Sequence, residues 1–250
     1  MSTATVTPVL AAQDIRVNFG GLAAVGGVSL DVMPGESVGL IGPNGSGKST
    51  MLNVLSGLQR PTSGTVRLLG QDVTRLPAYR RARRGMARTF QRLELWGSMT
   101  VAENVRTAAD LAGRWKPGHQ AAEVAEEVMT AIGISHLAGR EISELTSGQG
   151  RLVEVARALA ERPSLLLLDE PTAGLSDTET RQLTELLAGI VADGTAVVLV
   201  EHHVEMVLSL CSRVTLLDFG KVIVAGDTET VRKAPALREV YLGARYAART

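Results

Sequence analysis

The sequence predicts an α/β fold: a mainly parallel sheet covered on both faces, with an antiparallel side sheet and an inserted α-helical subdomain. Three observations predict it. After Ser164 short apolar runs alternate with helical patterns, the rhythm of parallel strands joined by crossover helices. Residues 10–41 alternate apolar and polar in the β manner instead. Residues 100–160 break both rhythms. They are rich in Ala and Glu with helical periodicity, as in Ala121-Ala122-Glu123-Val124-Ala125-Glu126-Glu127-Val128.

Along the chain, turn signals at Gly20-Gly21 and Met33-Pro34-Gly35 divide residues 10–41 into strands, the last being Ser37–Ile41. A glycine-rich loop follows, then a helical pattern at Met51–Leu55. The turn Arg60-Pro61-Thr62-Ser63-Gly64 leads to a strand at Thr65–Leu69. From Ser164 the pattern predicts a strand at 165–168, a helix near 177–192 and a strand at 196–200. Two short strands, Val214–Leu217 and Lys221–Val224, precede short helices. The expected organisation is a flexible tail (1–9), one domain (10–243) with helices inserted at about 93–160, and a C-terminal tail (244–250).

Two segments carry chemistry. Gly42-Pro43-Asn44-Gly45-Ser46-Gly47-Lys48-Ser49-Thr50 sits between a strand and a helix, the context a phosphate-binding loop requires. Its glycines let backbone N–H groups turn inward around an anion, and the helix start adds its positive end. Lys48 would reach the β- and γ-phosphates, and the Ser49 hydroxyl would ligate Mg²⁺. The second segment, Leu165-Leu166-Leu167-Leu168-Asp169-Glu170, reads as a buried parallel strand ending in two carboxylates. Asp169 is placed to hold the metal, and Glu170 to polarise an attacking water.

Composition narrows the setting. Apolar residues are 45% of 250, and Lys+Arg equals Asp+Glu at 26 each, so no global field favours nucleic acid or acidic lipid. Cys211 is the single cysteine, which excludes an internal disulfide and suits a core thiol. No apolar run approaches the ~18 residues of a membrane span. The N-terminus lacks a targeting pattern. These features predict a cytoplasmic chain; if it serves a membrane process, it does so by docking on another protein. The arginines at 75, 80, 81, 83, 84, 88 and 92 read as a solvated helix face or one near lipid headgroups. With only Tyr79 and Phe90 interleaved they offer no base-stacking platform, and no nucleic-acid partner is expected.

Between the phosphate segments lies Leu145-Thr146-Ser147-Gly148-Gln149-Gly150-Arg151, followed by a helical run to Leu159. This resembles the signature segment of ATP-binding cassette (ABC) ATPases, and the resemblance covers about residues 10–243. It implies a P-loop NTPase (RecA-like) core that hydrolyses ATP as a head-to-tail dimer. Thr146, Ser147, Gly148 and Gln149 of one subunit would then meet nucleotide held by Lys48, Ser49, Gln91, Asp169, Glu170 and His202 of the other. Thr89-Phe90-Gln91 resembles the Q-loop, whose glutamine approaches Mg²⁺ and the attacking water. Val200-Glu201-His202 resembles the strand end carrying a switch histidine, and Phe19 the aromatic that stacks on adenine.

Two segments depart from the family pattern, at three positions. The consensus signature is Leu-Ser-Gly-Gly-Gln, so Thr146 and Ser147 replace Ser and Gly. Ser176 in Ala173-Gly174-Leu175-Ser176 stands where the D-loop usually has Asp. Slower or less tightly coupled hydrolysis is the expectation.

The stretches Phe19–Val25 and Gly85–Arg92, Glu201-His202 and the ending Tyr241-Leu242-Gly243 resemble ATPase subunits of branched-chain amino acid importers. That subfamily also serves urea and amides, and lipopolysaccharide-export ATPases are similar. The resemblance implies permease subunits docking around Leu93, Leu95, Trp96 and Met99, with Trp96 at the interface and Met99 in the core. A solute-binding protein would act indirectly, and the chain would sit peripherally on the cytoplasmic face of the membrane. A soluble cassette acting on DNA or ribosomes would usually carry coiled-coil insertions or two cassettes, and this chain has neither.

Overall fold

The computed structural model describes residues 7–115 and 120–247. β1 (Leu10–Phe19) and β2 (Leu22–Val32) form an antiparallel hairpin about Gly20-Gly21. β3 (Ser37–Ile41) leads into α1 (Lys48–Ser56), and β4 (Ser63–Leu68) returns to pair with β1. Three short elements follow: β5 (Gln71–Asp72), α2 (Ala78–Ala82) and β6 (Met86–Arg88). Each is too short for periodicity to reveal; β5 and β6 were not expected, and α2 is the only helix among the described residues of the stretch read as an arginine helix face.

The helical segment contains α3 (Val101–Trp115), α4 (Ala121–Ile132) and α5 (Ser147–Ala160), packed on one another. β7 (Leu165–Asp169), α6 (Asp177–Ala192), β8 (Ala196–Val200) and α7 (Val204–Leu210) rebuild the core. The chain closes with β9 (Arg213–Asp218), β10 (Lys221–Asp227), α8 (Thr228–Lys233) and α9 (Pro235–Ala247). α6 starts where the periodicity put it because Ser176 and Glu179 form a reciprocal capping box. The unusual D-loop serine is thus this helix's N-cap.

The main sheet has six strands in the order β10-β9-β3-β8-β7-β6, all pairings parallel except β10 with β9. Every residue of β3, β7 and β8 is buried, so these strands read as unbroken apolar runs. Alternate side chains serve different cores. Leu166, Leu168, Val197 and Leu199 join α3–α7, while Leu165, Leu167, Val198 and Val200 join α1 and the side sheet, ordered β2-β1-β4-β5. The order also fixes the site. β3, β8 and β7 are neighbours and parallel, so their C-terminal ends open on one edge, where α/β sheets bind ligands.

Several expectations change. Residues 1–6 of the expected tail lie outside the described residues, but Val9 is already buried and its N–H donates to the Val32 carbonyl. α9 runs to Ala247, into the stretch expected as a C-terminal tail; Ser63 and Gly64 belong to β4 and Leu69 does not. Two arginines of the supposed solvated face are internal. Arg81 is 1% exposed, and its guanidinium donates to the carbonyls of Val54, Leu55, Thr74 and Leu76. It thereby supplies the donors that the last turn of α1 lacks, and burial lowers its pKa to about 10. Arg88 is the other, and it reaches the site. Cys211 is a buried thiol, as expected, with its pKa pushed up to about 12 by burial. Among the described residues no helix is long and apolar enough to cross a membrane.

Candidate nucleotide site

The loop from β3 to α1 is shaped by what cannot fit. At Gly42 φ is 151°, and a Cβ would lie 2.2 Å from the Leu217 carbonyl oxygen and 2.6 Å from Ser46 Oγ. No side chain is tolerated there. Gly47 caps α1 without a side chain, and the first turn carries no acid, so its N–H groups are left for an external anion. Lys48 Nζ folds back to donate to the carbonyls of Gly42 (2.8 Å) and Pro43 (2.9 Å). Burial lowers its pKa, and the Glu170 and Asp169 carboxylates oppose that shift. Lys48 is thus a sequestered charge that an incoming phosphate can claim.

A pocket of about 320 Å³ opens over this loop, lined by Ala24, Asn44–Thr50, Gln91, Glu170 and His202. Three strand ends and the segment after β6 supply it. Glu170 leaves β7 in a left-handed conformation, φ 50°, with its N–H donating to the Val200 carbonyl. One carboxylate oxygen lies 2.7 Å from His202 Nε2, and the other 3.5 Å from Gln91 Nε2. Glu201, which sequence reasoning gave no separate role, is buried and fixes this corner. It accepts from the Thr172 amide and hydroxyl and from the His202 amide.

Asp169 is 2% exposed, with its pKa raised by burial and held down by Arg88. Oδ2 accepts from Arg88 at 3.0 Å, while Oδ1 is buried without a partner. Ser46 Oγ is likewise buried and unpartnered. A hard cation with oxygen ligands answers such orphaned oxygens, so Asp169, together with the Ser49 hydroxyl that lines the pocket, fits Mg²⁺ brought in with phosphates. Arg88 also donates to Asn53 Oδ1 (2.8 Å) and Ser56 Oγ (2.7 Å) of α1 and stacks over Phe90. It ties Asp169, α1 and the Q-loop together. Nothing in a run of arginines distinguishes it from its solvated neighbours.

The signature segment lies outside this pocket. Thr146 and Gln149 form a capping box at the start of α5, each accepting from the other's amide. Gly148 packs so closely on the D-loop that a Cβ would sit 2.5 Å from the Gly174 carbonyl oxygen. The serine at 147 is accommodated because its neighbour is Gly174: a Cβ there would lie 2.6 Å from Ser147 Oγ. α5 then grips the Q-loop. Arg151 donates to the carbonyls of Phe90 and Gln91 and pairs with Glu154, which accepts from the Phe90 amide. The first two turns of α5 thereby link the signature to Gln91. Phe19 stands at the hairpin tip, 52% exposed, and it is Ala24 across the hairpin that lines the pocket.

These features define a P-loop cassette whose phosphate loop, Glu170 and His202 converge on one pocket, with Asp169 buried behind it and the Thr146–Gln149 segment held elsewhere. The ABC transporter family model matches residues 25–173. The chain is 36% identical over 250 residues to the high-affinity branched-chain amino acid transport ATP-binding protein BraF of Pseudomonas aeruginosa, covering 94% of this chain and 98% of that protein. Among solved structures it is similar to the ADP conformation of MJ1267, an ATP-binding cassette of an ABC transporter (TM-score 0.82, 30% identity, covering 95% of this chain and 99% of that one). It is also similar to the dimeric post-hydrolysis structure of the cassette MJ0796 bound to ADP and Pi (TM-score 0.80, 27% identity, 88% and 98% covered). The chain belongs to the ABC transporter family and is its ATP-binding, ATP-hydrolysing component.

Proposed function

We propose that this chain energises import of a small solute, most specifically branched-chain amino acids, through permease subunits at the cytoplasmic face of the membrane. The observation that carries the cargo is the near full-length similarity to BraF. The pocket carries the chemistry. Lys48 leaves the Gly42 and Pro43 carbonyls to meet the β- and γ-phosphates. Glu170, oriented by His202 and Gln91, takes the proton of the attacking water. When bound, Mg²⁺ neutralises phosphate charge, with Ser49, Gln91 and Asp169 as its holders.

Thr146 and Gly148, lying outside their own subunit's pocket, face the nucleotide of a second cassette, as the dimeric likeness of MJ0796 supports. Gly148→Ala tests this arm. Its Cβ must displace the Gly174 carbonyl, so ATPase activity should fall about tenfold or more while ATP still binds the phosphate loop with parental affinity. Equal activity, measured by phosphate release, would remove Gly148 from the reacting complex.

The docking surface for the permease is the segment around Leu93 to Met99. Leu93 is exposed, and Trp96, 38% exposed, carries the Arg157 guanidinium 4.1 Å above its ring. Met99 is only half-buried and so belongs to this surface rather than the core. Arg157 also donates to the Glu94 carbonyl, so a partner pressing on this segment pushes on α5. The solute-binding protein acts through the permease.

Deleting the gene and measuring uptake of labelled leucine, isoleucine, valine and urea tests the cargo. Loss of uptake of leucine, isoleucine and valine is expected. Normal uptake of all four, with a defect in surface lipid export, would reject import.

A further inference from the structure

The ending Tyr241-Leu242-Gly243 has no part in the chemistry above, yet Tyr241 touches the phosphate loop. Its hydroxyl oxygen accepts a hydrogen bond from the Gly42 N–H at 3.1 Å, across 199 positions of sequence. Gly42 is where β3 turns into the loop, and its carbonyl accepts from Lys48 Nζ. One residue is therefore held on both sides, by α9 through its amide and by Lys48 through its carbonyl.

The loop can least tolerate slack at this residue, which is packed against the Leu217 carbonyl and Ser46 Oγ. The phenol is partly buried, and burial raises its pKa, so it remains the neutral hydroxyl. α9 also borders the other side of the site. Tyr241, Leu237 and Arg238 line a cleft of about 660 Å³ with His202 and His203, and His202 is the side chain 2.7 Å from Glu170. α9 is thus in register with both the loop that holds phosphate and the histidine that faces it.

We propose that Tyr241 is a positioning residue for nucleotide binding, fixing the first amide of the phosphate loop so that the following N–H groups are preorganised for ATP. The hydrogen bond adds no contact to the nucleotide. Its effect is to spare ATP the cost of ordering the loop, which acts on affinity and not on the chemical step. The role needs only nucleotide binding, so it stands whatever the cargo.

Tyr241→Phe is the test, because the ring keeps its packing and loses only the acceptor. In the full-length protein, the Kd for Mg-ATP and the KM should rise about three- to tenfold, as the loss of one part-buried hydrogen bond gives, with kcat within about twofold of the parent. Hydrogen exchange in the absence of nucleotide should speed up in the peptide containing Gly42 and stay unchanged in the rest of β3 and in α1. Unchanged affinity overturns the proposal, whether or not exchange at Gly42 quickens. So does a fall in kcat at constant Kd, or faster exchange spread over β3 and α1, which would make the phenol a packing element only.

Discussion

Lys48→Ala is expected to abolish ATP hydrolysis, lowering phosphate release by at least about 10²–10³-fold, the cost of removing one preorganised donor from developing charge. The side chain is almost fully buried, and among the described residues its hydrogen-bond acceptors are two carbonyls of its own loop. Structurally the loss is therefore small. The Gly42 and Pro43 carbonyls lose a donor, while the loop's shape is set by glycine geometry that alanine at 48 does not touch. Chemically it is large, because among the described residues no other lysine or arginine lines the pocket. The phosphates would face the Glu170 carboxylate with no opposing side-chain charge. A fold check by thermal melting and a nucleotide-binding assay should show a folded protein with weakened ATP affinity. Parental turnover in a preparation freed of contaminating ATPases would remove Lys48 from the site, and the phosphate loop with it.

How far the sequence carried the site depends on how local each part is. The glycine loop and Lys48 were legible because a phosphate cradle is built from consecutive backbone groups, so its geometry leaves a fixed spacing. Asp169 and Glu170 were legible because a buried parallel strand must be apolar until it ends. His202 and Gln91 needed the family pattern, since each alone is an ordinary polar residue on a loop.

Arg88, Glu201, Arg151 and Glu154 were not legible. Their roles come from neighbours distant in sequence: Asp169 for Arg88, Thr172 for Glu201, the Q-loop backbone for the other two. An arginine run reads as a solvated face until tertiary packing places two of its members against buried carbonyls and a carboxylate. The fold behaved alike. The long strands and α6 matched their patterns, while β5, α2 and β6, held by sheet edges and helix ends, left no period to detect.

Glu170→Gln should separate binding from hydrolysis. The amide has nearly the carboxylate's shape, so the contacts to His202 Nε2 and Gln91 Nε2 are altered in donor and acceptor but not in reach. As a proton acceptor it is far weaker, and the loss of a general base costs about 10²–10⁴-fold in rate. ATP affinity depends on Lys48 and the loop amides, which the change leaves in place. Bound ATP would therefore persist, and its γ-phosphate would go on joining the phosphate loop of one subunit to Thr146 and Gly148 of the other. With Mg-ATP the variant should run as a stable dimer in light scattering, whereas the parent, hydrolysing its own bridge, should return to monomer. A variant that binds ATP, fails to hydrolyse it and still remains monomeric would leave Glu170 as the base and reject the shared site. One that hydrolyses ATP at the parental rate would reject Glu170 itself and return the role to His202 or to a water held by Gln91.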